Sequence, residues 1–210
     1  PMLADVGVPR CIRLVEKVES WELHGFGDAS EHAISACVIA RLGYGDGIFR
    51  CHLLMGKTRV VKEKEKSTPV NMKPTVRIAR WELCAAQLVA QLVTQVATEM
   101  KVAMENVMCH TDNLTTLQWM RGDLSRWVMF VTRRCEAIRK LVPVAQWRWV
   151  RGTDNPADLP SRGISAKDLC NNELWFHGPS WLSEPKETWP EEINGPLTEE
   201  CLSQTKRRHP

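Results

Sequence analysis

Two apolar stretches far apart in the chain both run straight into an aspartate: Leu23-His24-Gly25-Phe26-Gly27-Asp28 and Asn106-Val107-Met108-Cys109-His110-Thr111-Asp112. A strand that ends on a carboxylate leaves that group off the hydrogen-bond ladder, on rigid backbone and open to solvent. A metal ion can reach it there. Gly25 and Gly27 leave room for another backbone or a ligand beside the first strand. Asp28-Ala29-Ser30 also reads as a plain turn, since Asp and Ser both favour turns. The other elements decide between the two.

Between these stretches the pattern alternates sheet and helix. Glu22 to Asp28, the nearly continuous apolar run Ala33 to Ala40, and Ile48 to Met55 read as three strands joined by short turns, an antiparallel meander. In the third, Phe49, Cys51, Leu53 and Met55 are expected on one face. Residues 57 to 77 read as a basic loop, carrying Lys57, Arg59, Lys62, Lys64, Lys66, Lys73 and Arg77 against Glu63 and Glu65, with Pro69 and Pro74. An amphipathic helix is expected from about Ile78 to Met100, with Trp81, Ala85, Leu88, Leu92 and Val96 at helical spacing. Glu82 falls in its first turn on this reading, where an acid helps the helix dipole. It also shares a face with Ala86, Val89 and Val93, where a carboxylate needs a partner or a metal.

After Asp112, Asn113 to Arg121 reads as a short helix. Arg126 to Leu141 reads as another, with Trp127, Phe130, Arg134, Ile138 and Leu141 along one stripe. Gln146 to Val150 alternates as a strand. Pro156 suits the first position of a helix capped by Asn155, which places Asp158 in its first turn. The order β-β-β-α-β-α-α-β-α gives an α/β fold, a mixed five-stranded sheet with helices on its faces.

The bulk numbers constrain less. Hydrophobic content of 43% and charged content of 25% are ordinary for a globular chain, and a net charge of +3 names no partner. No apolar run reaches bilayer-spanning length and no export signal opens the chain. Eight cysteines without a Cys-x-x-Cys read as reduced, buried small hydrophobes of a cytosolic protein. Cys170 and His177 lack the second pair a zinc site needs.

Asp28, Glu82, Asp112 and Asp158 all sit at element ends or helix starts on this reading. If the strands carrying Asp28 and Asp112 are neighbours, those two meet. Carboxylates cannot crowd together bare, because like charges raise each other's pKa. Divalent cations resolve the conflict: two Mg²⁺ ions about 3.5–4 Å apart activate a water and steady a leaving oxygen on a phosphodiester.

With these residues in order, the sequence resembles the ribonuclease H domain of retroelement polyproteins, particularly the Bel/Pao class of LTR retrotransposons (the Pao retrotransposon family). The motifs are Leu23 to Ser30, Arg80-Trp81-Glu82-Leu83-Cys84-Ala85-Ala86, His110-Thr111-Asp112-Asn113, Asn155 to Gly163, and the tail Leu174 to Leu182, spanning about residues 20 to 183. The resemblance implies a ribonuclease H-like fold and cleavage of the RNA strand of RNA–DNA hybrids, leaving 3′-hydroxyl and 5′-phosphate ends. It implies two Mg²⁺ ions, with Mn²⁺ as a substitute. Asp28 would bridge both metals, Glu82 and Asp112 complete one site, and Asp158 hold the other. Lys57, Arg59 and Arg162 would meet substrate phosphates. Ser30 and Asn113 would read 2′-hydroxyls in the wide minor groove, or simply make local turn and cap bonds.

The implied setting is a pol polyprotein. Residues 1–20 would be an arm from a reverse transcriptase region, 21–163 the ribonuclease H-like domain, 164–183 a Trp-rich extension, and 184–210 a linker towards an integrase region. A chain that opens on Pro1 is expected to continue upstream. Its place would be cytoplasmic, in the element's virus-like particle, or nuclear, with no membrane partner. Two departures from the family pattern stand out. The span Arg121 to Arg126 is too short for the basic helix and loop that grips substrate in cellular members, and the loop just before the last carboxylate, Arg151-Gly152-Thr153-Asp154, has Asp154 but no His. The competing functions are an inactive connector with the same fold and an aspartic peptidase, a label sometimes given to the Pao family. The peptidase lacks the Asp-Thr-Gly or Asp-Ser-Gly it requires.

Overall fold

The computed structural model describes residues 17–62, 72–193 and 195–205. Its centre is a sheet of β1 (Ser20–Ala29), β2 (Ala33–Tyr44), β3 (Ile48–Val60), β4 (Val107–Thr111) and β5 (Trp147–Trp149), in the order β3-β2-β1-β4-β5. The first three strands pair antiparallel, while β4 and β5 run parallel to β1. The helices are α1 (Pro74–Met100), α2 (Leu114–Arg121), α3 (Met129–Leu141), α4 (Asp158–Arg162), α5 (Ala166–Leu169), α6 (Glu173–His177) and α7 (Glu199–Ser203). The mixed five-stranded α/β architecture expected from the sequence is present. The expected N-terminal arm lies outside the described residues up to position 16, as does the basic loop from 63 to 71.

α1 lies across one face of the sheet, and the glycines of β1 set how closely. A Cβ at Gly25 would stand 2.6 Å from Val89 Cγ1, and one at Gly27 would stand 2.6 Å from Val89 Cγ2 and 3.3 Å from the Ala85 backbone. Val89 therefore straddles β1 with one methyl in each glycine notch. Leu83, Val89 and Val93 are fully buried here, each contributing about 1.5–3 kcal/mol of burial free energy. The helix begins four residues before the expected Ile78, because Pro74 occupies its first position, where a missing N–H costs nothing. Glu82 consequently sits more than two turns inside α1 rather than in its first turn. It is too deep for the dipole role.

β3 runs to Val60, past the expected end at Met55, and takes Lys57 and Arg59 out of the loop and into the sheet. Between Val38↔Met55 and Ile39↔Leu53 the pairing slips by one residue, a bulge at Leu54. A one-residue slip reverses every later side chain. Cys51 and Leu53 pack with Ile39 and Phe26, but beyond the bulge Thr58 lies beside Ser35. Lys57 and Arg59 pair with Ala36 and Ile34, on the face covered by α1. Met55, expected beside Leu53, turns away with them.

Two further differences concern the later chain. α3 starts at Met129 rather than Arg126 and buries Val131, Cys135 and Ile138, not the expected Phe130–Arg134 stripe. Phe130 and Arg134 turn instead towards Arg80 of α1. The segment from 184 reads as a linker by composition, yet its described residues lie against the domain, because its charged groups have fixed partners. Lys186 pairs with Glu22 at 2.8 Å, and Glu192 pairs with Arg148 at 2.6 Å and with Arg121. Cys201 is fully buried, and Thr205 bridges Trp127.

Candidate functional site

Because β1 and β4 are parallel neighbours with Gly27 opposite Thr111, Asp28 and Asp112 leave the sheet side by side. α1 brings Glu82 to the same corner: its Oε1 accepts from the Ala29 N–H at 3.2 Å. Asp28, Glu82 and Asp112 each offer an oxygen within 4.8 Å of the others. Three elements thus converge on one point. The close approach of α1 to β1, which needs Gly25 and Gly27, is what lets Glu82 reach it.

Asp158 opens α4 beside this triad but outside it, with Arg162 Nε 2.5 Å from its Oδ1. The next turn of α4 contributes Ser161, fully enclosed, whose hydroxyl donates to Asp28 Oδ2. Asn155 is buried just before α4; its Nδ2 donates to Gly27 O at 3.0 Å and its Oδ1 accepts from Ala157 N–H at 3.1 Å. It does not cap a helix, as its place before Pro156 suggested. It ties the end of β1 to the loop that carries Asp158. Gly152 also lies close, since a Cβ there would stand 3.2 Å from Asp112 Oδ2.

The electrostatics are those of crowded acids. Burial, then the charges of Asp28 and Asp112, push the Glu82 carboxyl well above its ordinary range. Burial and the Asp28 charge push Asp112 up to about 7. Burial also raises Asp28, against the hydrogen bond from Ser161, while Asp158 adds to the rise. Glu82 Oε2 is buried with no hydrogen-bond partner. A hard divalent cation answers both features: it takes oxygen ligands, cancels the repulsion and occupies the orphaned oxygen. The donor set therefore fits Mg²⁺ or Mn²⁺.

The other expected residues fall unequally. Ser30 Oγ donates to Ser161 O at 2.5 Å and accepts from His32 N–H, so it makes the turn after β1. Asn113 caps α2, accepting from Thr116 N–H at 2.9 Å. Both adjoin the corner. Lys57 and Arg59 do not come to it; the Leu54 bulge puts them on the α1 side of the sheet. Asp154 accepts from Trp181 Nε1 at 3.3 Å, which ties it to the tail. Sequence reasoning passed over Ser161 and the structural role of Asn155, although both stand three residues from Asp158, one turn of helix or loop away.

The face of β1 and β4 turned away from α1, which Asp28 shares, carries a buried pair that was also passed over. His24 Nδ1 and His110 Nε2 lie 3.1 Å apart, under Trp181 and Trp189 of the tail. Glu22 closes the group, held low by hydrogen bonds from His24 and Lys186 that outweigh its burial. Arg41 reaches Glu22 and donates to the carbonyls of Leu182 and Glu184 at 2.7 and 2.8 Å, pinning the tail.

The sequence model of a family described as "Pao retrotransposon-like RNaseH-like domain" matches residues 2–113, more than half of the chain. The chain belongs to this family. The matched residues of the Pao domain include Asp28, Glu82 and Asp112, the three carboxylates that converge. No curated protein matches the Pao chain. Among solved structures it is similar to the RNase H1 of the halophilic archaeon Halobacterium salinarum NRC-1, at 14% identity, covering 66% of this chain and 91% of that chain, with a TM-score of 0.37.

Proposed function

We propose that this Pao domain is a divalent-metal-dependent endonuclease that cleaves the RNA strand of RNA–DNA hybrids, working beside the reverse transcriptase and integrase regions of a retrotransposon polyprotein. The observation that carries the reading is the meeting of Asp28, Glu82 and Asp112 within 4.8 Å, with raised pKa values and an orphaned Glu82 oxygen. Asp28, Glu82 and Asp112 would hold one Mg²⁺, and Asp28 with Asp158 a second. When bound, such ions supply an activated water and stabilise the leaving oxygen of a phosphodiester.

The chain's own residues set the geometry. The Ala29 N–H fixes one oxygen of Glu82 and leaves the other for a ligand. The Ser161 hydroxyl orients Asp28, and Asn155 holds the strand end behind it. Arg162 shields Asp158 and is near enough to meet a substrate phosphate once a cation takes that carboxylate. Ser30 and Asn113 stand beside the corner; Asn113 Nδ2 is suited to 2′-hydroxyls, while the Ser30 hydroxyl is taken up by Ser161 O and the His32 and Ala33 N–H groups. The test is a labelled RNA–DNA hybrid incubated with Mg²⁺, Mn²⁺ or EDTA. Cleavage of the RNA strand in both metals and none in EDTA or in Asp112→Asn is expected. A folded native protein that leaves the hybrid intact would assign the domain to the connector role instead.

A further inference from the structure

The Trp-rich extension lands on the outer strand of the sheet, and two histidines meet there. Trp175 of α6 packs so closely on β3 that a Cβ at Gly56 would stand 2.9 Å from its ring. Two residues on, His177 Nδ1 donates to the Cys51 carbonyl at 2.7 Å. The His177 ring stands 5.8 Å from that of His52, at 73°. Both rings line a cleft of about 650 Å³, together with Glu173, Asp154 and Arg50. The acid triad of the carboxylate corner takes no part in it. A carbonyl only accepts, so Nδ1 of His177 carries the proton, and the neutral ring presents a lone pair at Nε2. That nitrogen faces a second acceptor, Glu173 Oε2, at 3.7 Å. His52 Nε2 is buried with no hydrogen-bond partner. Burial, then the charges of His177 and Arg50, lower the His52 pKa and favour the neutral ring that a metal requires.

We propose that His52 and His177, with Glu173 as third ligand, form a second metal site, for Zn²⁺, that clasps the extension to the edge of the sheet. Imidazole nitrogens with one carboxylate suit zinc, whereas Mg²⁺ takes oxygens, so the two sites select different ions. Zinc lies about 2.0–2.1 Å from each nitrogen, which sets the centroids of two ligating rings on the order of 5–6 Å apart. The observed separation meets that requirement. The Cys51 carbonyl is the outer acceptor that orients a zinc-bound histidine. Among the described residues only the acid triad already has three ligand atoms within 4.8 Å of one another. Glu173 must therefore turn inwards, and its side chain, 88% exposed, is free to do so. A water would complete the tetrahedron. Arg50 opposes a cation in the cleft, and Glu173 and Asp154 offset it. Sequence spacing offered His177 no partner because His52 stands far back in the chain, on the strand that α6 covers.

The experiment titrates the native chain with Zn²⁺ by calorimetry in excess Mg²⁺, which competes for the carboxylate corner. Zinc binding at one site is expected. His52→Ala and His177→Ala should each weaken it on the order of 100-fold or more. Glu173→Ala should weaken it by a smaller factor, and Asp112→Asn should leave it unchanged. Zinc should raise the Tm of the native chain and not that of His52→Ala/His177→Ala. X-ray absorption at the zinc edge needs only native protein, so a misfolded variant does not rescue the idea. Two imidazole ligands are expected in that spectrum. A shell of oxygens alone, or an affinity that follows Asp112 and not the histidines, would assign the zinc to the carboxylate corner and overturn the clasp. A native chain that binds no zinc overturns it as well. Hybrid cleavage does not enter the test. A chain that cuts hybrid without holding zinc on histidines removes the clasp alone, and one that holds zinc but cuts nothing removes the nuclease reading alone.

Discussion

Gly27→Ala tests the link between the fold and the corner in a single atom. The new Cβ would stand 2.6 Å from Val89 Cγ2, about 1 Å inside ordinary contact, and 3.3 Å from the Ala85 backbone. Val89 cannot turn aside cheaply, because its other methyl occupies the Gly25 notch and the side chain is fully buried. The helix must therefore lift by a large part of an ångström. Overpacking of this kind costs about 1–3 kcal/mol, offset by roughly 0.5–1 kcal/mol from the lost freedom of glycine. For a domain of this size each kcal/mol moves Tm by about 2–4 °C, so the net cost of up to about 2.5 kcal/mol gives a fall of up to about 10 °C. The same lift carries Glu82, and displacement by about 1 Å of a positioned group costs on the order of 10²-fold in rate. Thermal unfolding and hybrid cleavage measure the two effects, and Gly27→Ala/Val89→Ala should recover part of both. A Gly27→Ala protein with native Tm and native rate would show that α1 does not depend on the notch, and the account of Glu82 placement would fall.

Three other expectations follow from the site and the tail. Asp112 sits at about 7 when folded against 3.8 for a free aspartate, so the metal-free folded chain keeps a proton that the unfolded chain has released. Its contribution therefore declines as pH rises from about 4 through 7, by up to about 4 kcal/mol. In EDTA, Asp112→Asn should be more stable than native protein at pH 8 but not at pH 4, while Mg²⁺ should raise the native Tm at pH 8. Equal curves in calorimetry would refute the crowding. Asn155→Ala removes two buried hydrogen bonds, one of them to Gly27 O, a loss of about 1–3 kcal/mol. Cleavage should fall more than the Tm shift alone explains. Truncation after residue 183 strips Trp127 and Trp119 of the Thr205 and Cys201 contacts. A Tm drop of about 5 °C or more is expected in a melting curve; an unchanged curve would restore the linker reading.

The strand-then-carboxylate pattern made Asp28 and Asp112 legible, because strand ends are set by local sequence and the parallel pairing of β1 with β4 then brings them together. Glu82 was legible as an acid on an apolar helix face, though its depth in α1 was not, since Pro74 looks like a boundary until it is seen as a first helical residue. Lys57 and Arg59 were misplaced for a different reason. Alternation along β3 is readable, but a bulge is a two-strand property, set by the partner register and invisible in one strand's sequence. The tail misled by composition. Glu, Pro and Lys suit a linker, and only the positions of Glu22, Arg121 and Arg148 in space turn Lys186 and Glu192 into anchors. Ser161 and Asn155 act on groups distant in the chain, so no local pattern marks them.

The extra residue in β3 has an evolutionary corollary. Removing Leu54 alone would take out the extra residue and restore strict alternation while leaving Lys57 opposite Ala36 and Arg59 opposite Ile34, still on the α1 side. A single codon's deletion thus straightens the strand without carrying any charged side chain to the other face. Lineages of this domain that differ by one residue in that hairpin would then differ in the bend of the strand's outer half and not in which face bears its lysine and arginine.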